Sequence, residues 1–193
     1  MSLVRQDGIS ITLTILAVAV FLYSATFTDE LMLRSTFVIV MALSGLVLSS
    51  IIKQSSVDED VSPAEGRQII MWSVISFVAV LFLNLFAKNA IPFAVAESPL
   101  TRQSFAILIA VAEENFFRGF ITPFIASRVG ILPGSILAGV MFGIYHIAIY
   151  QSFDIMLIVF GSGIILSYVA LRTKRVSPTM LAHVANNYLS VGI

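Results

Sequence analysis

Seven apolar runs, each close to the length that crosses a bilayer, constrain this chain more than any other feature. They lie at roughly 9–27, 31–52, 69–87, 104–127, 132–151, 154–171 and 178–193. About 20 apolar residues in a helix span the ~30 Å of membrane hydrocarbon. No water is present there to satisfy the backbone, so each run must be helical. Charge is correspondingly scarce, with eleven Lys and Arg and eleven Asp and Glu among 193 residues. A soluble domain needs a polar exterior that so few charges cannot supply. A disordered chain is excluded too, and the net charge of +0 offers no basic field for nucleic acid. The absence of cysteine removes disulfides, thiolate metal sites and cysteine nucleophiles. The expected fold is all-α: one membrane domain over residues 1–193, a polytopic transmembrane bundle of about seven spans.

The first run follows Arg5 and ends near the small, polar Ser24-Ala25-Thr26, as a cleaved signal would. Its nineteen residues exceed the usual apolar core of such a signal, so it reads as a span. The longest connection, Lys53–Gln68, holds Asp58-Glu59-Asp60 and Pro63 and reads as a solvated loop. With the N-terminus cytoplasmic, the inner loops carry Arg5, Lys53, Arg67, Arg128, Arg172, Lys174 and Arg175, against Arg34, Lys88 and Arg102 outside. That bias sets the expected orientation of an integral multi-pass protein of the cell membrane. Ser135, Gly139 and Gly143 stand four apart in the fifth run, with Gly130 and Gly134 upstream. This spacing predicts close approach of a second helix.

Charges inside a span are costly, and those that persist usually mark function. Arg34 lies near the start of its run and can extend to the interface. Glu113, Glu114 and Arg118 lie deep in the fourth run. The only two histidines, His146 and His183, also fall inside runs, as does Asn187. These residues point to one intramembrane site built from three spans.

Helical spacing separates their roles. Glu114 and Arg118 stand i,i+4 with the acid first, the favourable order for an ion pair. Glu113 is rotated about 100° from Glu114 and has Phe117 one turn below it, which leaves its carboxylate for chemistry. His183 and Asn187 are i,i+4 and share a face. Phe142 precedes His146 by one turn and can pack against its ring. A carboxylate with an imidazole can take a proton from water. A second imidazole and a carboxamide can donate to an oxyanion. Pro123, one turn beyond Arg118, is expected to kink its helix. Gly161-Ser162-Gly163 lacks the first glycine of a GxSG nucleophile turn, since residue 160 is Phe.

Three motifs now stand in order on separate apolar segments. Glu113-Glu114-Asn115-Phe116-Phe117-Arg118 fits EExxxR, Phe142-Gly143-Ile144-Tyr145-His146 fits FxxxH, and His183-Val184-Ala185-Asn186-Asn187 fits HxxxN. In this arrangement residues 102–193 resemble the catalytic core of the CPBP intramembrane proteases. That family joins the type II CAAX prenyl endopeptidases with bacteriocin-processing and immunity proteins. The resemblance implies a glutamate-dependent intramembrane endopeptidase, in a family also labelled metalloprotease. Glu113 with His146 would activate water, His183 and Asn187 would hold the oxyanion, and Glu114, Arg118 and Phe142 would support the site. Its partners would be membrane lipid and a protein or peptide substrate, prenylated CAAX tails being the family's best-known target; no nucleic acid is implied.

No cofactor is expected. The alternative is zinc held by Glu113, His146 and His183, a plausible donor set although no HExxH is present. Two other function classes compete: a non-catalytic membrane scaffold or bacteriocin-immunity-type protein, and a small transporter. Transporters usually show a repeat between halves, and none is visible.

Overall fold

The computed structural model describes residues 8–9, 11–16, 31–51, 63–84, 99–150 and 153–192. These residues form helices α1 (Leu31–Ile51), α2 (Pro63–Asn84), α3 (Pro99–Glu113), α4 (Thr122–Val129), α5 (Ile131–Tyr150), α6 (Phe153–Thr173) and α7 (Ser177–Gly192). A π-helical segment, Glu114–Ile121, joins α3 to α4 without a break. Residues 8–9 and 11–16 are helical as well, and no strand occurs among the described residues. The all-α bundle is therefore as expected, with helix at every apolar run. The expectations for the signal-like Ser24-Ala25-Thr26, for Asp58-Glu59-Asp60 and for the Arg34 side chain fall outside what is described.

Among the described residues, two helices are long and apolar enough to cross a membrane on their own, over Gly66–Leu83 and Ile155–Thr173. Val38–Leu48 and Ile131–Ile147 are shorter apolar stretches within α1 and α5. Length and composition of the described residues leave the number of full spans open. Polarity sets two elements apart: the α3–π–α4 rod carries Glu113, Glu114 and Arg118, and α7 carries His183, Asn186 and Asn187. Only 17% of Gly66–Leu83 is buried inside the protein. Ile70, Met71, Val74, Ile75, Val78 and Phe82 are exposed on it, an apolar surface that only lipid can cover.

The core sits where α3 is surrounded. Leu108, Val111 and Ala112 join Met41 and Ala42 of α1, Ala170 and Leu171 of α6, Val176 of the α6–α7 turn and Met180 of α7 in one buried cluster. α3 packs on α7 and α1, and α1 also lies along the π segment. That last contact is a backbone approach: a Cβ at Gly45 would lie 2.5 Å from the Asn115 carbonyl carbon and 2.6 Å from the Phe116 nitrogen. α5 packs chiefly on α6. There Gly139 admits Ile164 so closely that a Cβ would lie 2.5 Å from its Cγ1 and 2.9 Å from its nitrogen. The small-residue stripe is thus a packing seam, as its spacing predicts. Gly130, at φ 93°, makes the turn between α4 and α5 in a backbone region that side-chain-bearing residues rarely adopt.

The rod through the site departs from simple helical geometry. Pro123 has no N–H to give, and its ring crowds the carbonyl four residues back. The chain responds upstream by widening rather than by a plain kink, and the Thr122 N–H bonds the Phe117 carbonyl, five residues back. Helices of this type are rare and occur frequently at functional sites.

Candidate active site

The π segment opens at the residues that carry the charge. Glu113 ends α3 and is 2% exposed, and Glu114 and Arg118 are fully buried. From this rod the two carboxylates turn toward α5 and α7. Glu113 Oε1 lies 3.6 Å from His146 Nε2, and Glu113 Oε2 lies 3.6 Å from His183 Nε2. Both separations exceed a hydrogen bond. Each acid–imidazole pair can close on a shared proton or hold one water between its members.

The opposite ring nitrogens fix the tautomers. His146 Nδ1 is 2.8 Å from the Phe142 carbonyl oxygen, which can only accept, so Nδ1 carries the proton. His183 Nδ1 is 2.9 Å from Glu114 Oε1. As a carboxylate paired with Arg118, Glu114 accepts there too. In the neutral rings both Nε2 atoms therefore present lone pairs to Glu113. A carbonyl or carboxylate behind an imidazole is the usual way to hold its orientation and raise its basicity.

Glu114 Oε1 also faces Arg118 Nη1 at 3.2 Å, with neither side chain exposed. The direction of that approach makes no hydrogen bond, so the pair is held by charge. The Arg118 guanidinium lies over the Phe142 ring, its Cζ 4.3 Å from the centroid. The same ring meets His146 at 4.4 Å and Phe117, edge-on, at 4.9 Å. Phe142 thus touches the supporting cation and the base-side imidazole together.

The structure brings together six of the seven residues singled out in the sequence: Glu113, Glu114, Arg118, Phe142, His146 and His183. Asn187 makes a contact that its expected role does not include. Its Nδ2 donates to the Ala106 carbonyl at 3.2 Å, tying α7 to α3 two turns before Glu113. The neighbouring Asn186 is the more buried of the two amides, at 6% exposure.

Two features were not read from the sequence. One is the service of Glu114 to His183, which depends on which face of α7 meets α3. The other is Asn115, fully buried, whose Nδ2 donates to the fully buried Thr14 Oγ1 at 3.0 Å. The rule that singled out Glu113, a polar side chain deep in an apolar run, applies equally to Asn115.

The donors around Glu113 bear on the zinc alternative. Both imidazoles have their Nδ1 tied to an oxygen, as metal ligands usually do. Yet among the described residues no three His, Asp or Glu side chains are placed to hold an ion together. No step is therefore routed through a metal.

The helical bundle brings its buried polarity together at Glu113, His146 and His183. The family model for type II CAAX prenyl endopeptidase Rce1-like proteins matches residues 10–189, and the chain belongs to that family. The match reaches well upstream of the three motifs, through the helices that carry none of them. No curated protein and no solved structure matches the chain. Membership makes this a membrane-embedded protein of a protease family.

Proposed function

We propose that the chain is an intramembrane endopeptidase in which Glu113, assisted by His146, takes a proton from water as that water attacks a peptide carbonyl. The observation that carries this reading is the convergence of both imidazole Nε2 atoms on the two oxygens of one buried carboxylate. Water held by Glu113 and by the His146 Nε2 lone pair loses a proton as its oxygen bonds to the carbonyl carbon. The carbonyl electron pair moves to oxygen, where His183 and Asn187 donate hydrogen bonds. For His183 to donate from Nε2 its ring must carry both protons, and Glu114 Oε1 already accepts the one on Nδ1. Asn187 has a second amide hydrogen beyond the one given to Ala106. Collapse of the intermediate breaks the C–N bond, and the proton held by Glu113 and His146 passes to the leaving amine. No metal is needed for these steps.

The substrate class is a membrane-anchored peptide or protein tail, with prenylated CAAX sequences first among candidates because of the family. The excess of Lys and Arg in alternate loops supports a cytoplasmic N-terminus in the cell membrane. A second reading draws on burial. With Glu113 only 2% exposed, the polar cluster can instead serve to tie α3, α5 and α7 together in a non-catalytic scaffold. Purified protein in proteoliposomes, given farnesylated and unmodified peptides, separates the two. Cleavage by wild type and its loss in His146→Ala support the protease; no cleavage, with His146→Ala melting at a lower temperature, supports the scaffold.

A further inference from the structure

The π segment is held from outside the three motif helices, and the hold falls on Asn115. Asn115 follows directly on Glu113 and Glu114, and it is fully buried. Its Nδ2 donates to Thr14 Oγ1 at 3.0 Å across 101 residues of sequence, and Thr14 is itself 1% exposed. Around Thr14, Leu13 packs on the main core, while Ile11, Ile15 and Leu16 face outward. The Thr14–Asn115 bond and the packing of Leu13 both help seat the segment 11–16. On the other side, Gly45 of α1 abuts the Asn115 carbonyl carbon and the Phe116 nitrogen. The far end of the π segment is pinned by Thr122 Oγ1, 3.2 Å from Ser167 Oγ on α6.

A π turn is a less favourable path than an α turn and persists where surrounding structure holds it. If the segment relaxed to α geometry, residues on either side would rotate relative to one another. Glu113 and Glu114 would then no longer face the rings on α5 and α7 while Arg118 keeps its place.

We propose that Asn115 is a positioning residue, and that the first helical segment completes the active site through the Thr14–Asn115 bond. The bond fixes the register in which Glu113 meets His146 and His183 and Glu114 meets His183. The segment around Thr14 bears none of the three motifs, yet it becomes part of the catalytic framework. This inference rests on the protease reading for its kinetic readout, but not for its spectroscopic one.

The test uses full-length Thr14→Val, Thr14→Ser and Asn115→Ala in proteoliposomes with a farnesylated CAAX peptide. The 15N ring signals of His146 and His183 are recorded on the same proteins in micelles. Thr14→Val keeps shape and removes the acceptor. It should lower kcat between about tenfold and a hundredfold, the scale of a sub-ångström to 1 Å misplacement of catalytic groups, with KM little changed. Thr14→Ser should recover most of the rate. The histidine signals should move in Thr14→Val and Asn115→Ala and stay put in Thr14→Ser. Wild-type kcat and unmoved ring signals in Thr14→Val would overturn the proposal. If wild type cleaves nothing, the protease reading fails, and the ring signals alone decide the inference. If Asn115→Ala does not fold, Thr14→Val and its serine rescue carry the decision.

Discussion

Replacing Arg118 by methionine removes a cation that is fully buried beside an equally buried carboxylate. The Nη1–Oε1 separation is 3.2 Å, and neither side chain is exposed. Breaking one partner of such a pair costs about 3–5 kcal/mol, because the remaining charge is left uncompensated in a poorly polarisable interior. For a chain of this size each kcal/mol moves the midpoint by about 2–4 °C, so Arg118→Met should lower Tm by roughly 6–20 °C. Glu114→Met should do similar harm, leaving the guanidinium with the Phe142 ring at 4.3 Å as its counterweight. The double variant Glu114→Met/Arg118→Met behaves differently. It exchanges the pair for apolar groups of similar volume, a change that is often neutral or stabilising, so its Tm should return close to that of wild type. Its cleavage should not return, because His183 Nδ1 loses the Glu114 oxygen now 2.9 Å away. Thermal melts followed by circular dichroism in micelles, paired with peptide cleavage, read both outcomes. A double variant that melts lower than either single would refute the reasoning, as would full activity in the double variant.

Two further outcomes follow from the packing and the donor set. Gly139→Ala puts a Cβ 2.5 Å from Ile164 Cγ1, whereas Gly143→Ala puts one 3.3 Å from Phe160 Cβ. The first should cost about 1–3 kcal/mol of overpacking strain and the second distinctly less, measured as Tm in the same micelles. Dialysis against a chelator should leave peptide cleavage unchanged, since no three described ligands are placed to share an ion. Activity lost on chelation and restored by zinc alone would put a metal between Glu113, His146 and His183.

The helices were legible because membrane length and scarce charge leave few other solutions. α5, α6 and α7 begin and end within two residues of their apolar runs. α2 and α3 start earlier than their runs, at Pro63 rather than near residue 69 and at Pro99 rather than near 104; α2 departs most. Its first turns carry Arg67 and Gln68, polar residues that hide a helix from a search for apolar length, while Pro63 is a favourable first residue. The Glu114–Arg118 pair and the Phe142–His146 contact were legible because both are local, one turn apart. Convergence of Glu113 on two histidines was expected only through three motifs read together. Nothing in Asn115-Phe116-Phe117 announces a π turn: it arises from Pro123 downstream and from the Gly45 backbone pressed against the rod. The bond from Asn187 to Ala106 was equally hidden, because sequence spacing places a carboxamide on a face without saying which carbonyl lies opposite.

The central claim is that the Glu113 carboxylate takes the proton from the attacking water. Glu113→Gln keeps the side chain's shape and removes its basicity, and kcat for a farnesylated CAAX peptide in proteoliposomes is compared with wild type. Glu113→Gln should lose about a hundredfold to ten-thousandfold, the usual worth of a positioned base, with Tm within a few degrees of wild type. Cleavage by Glu113→Gln at the wild-type rate would contradict it.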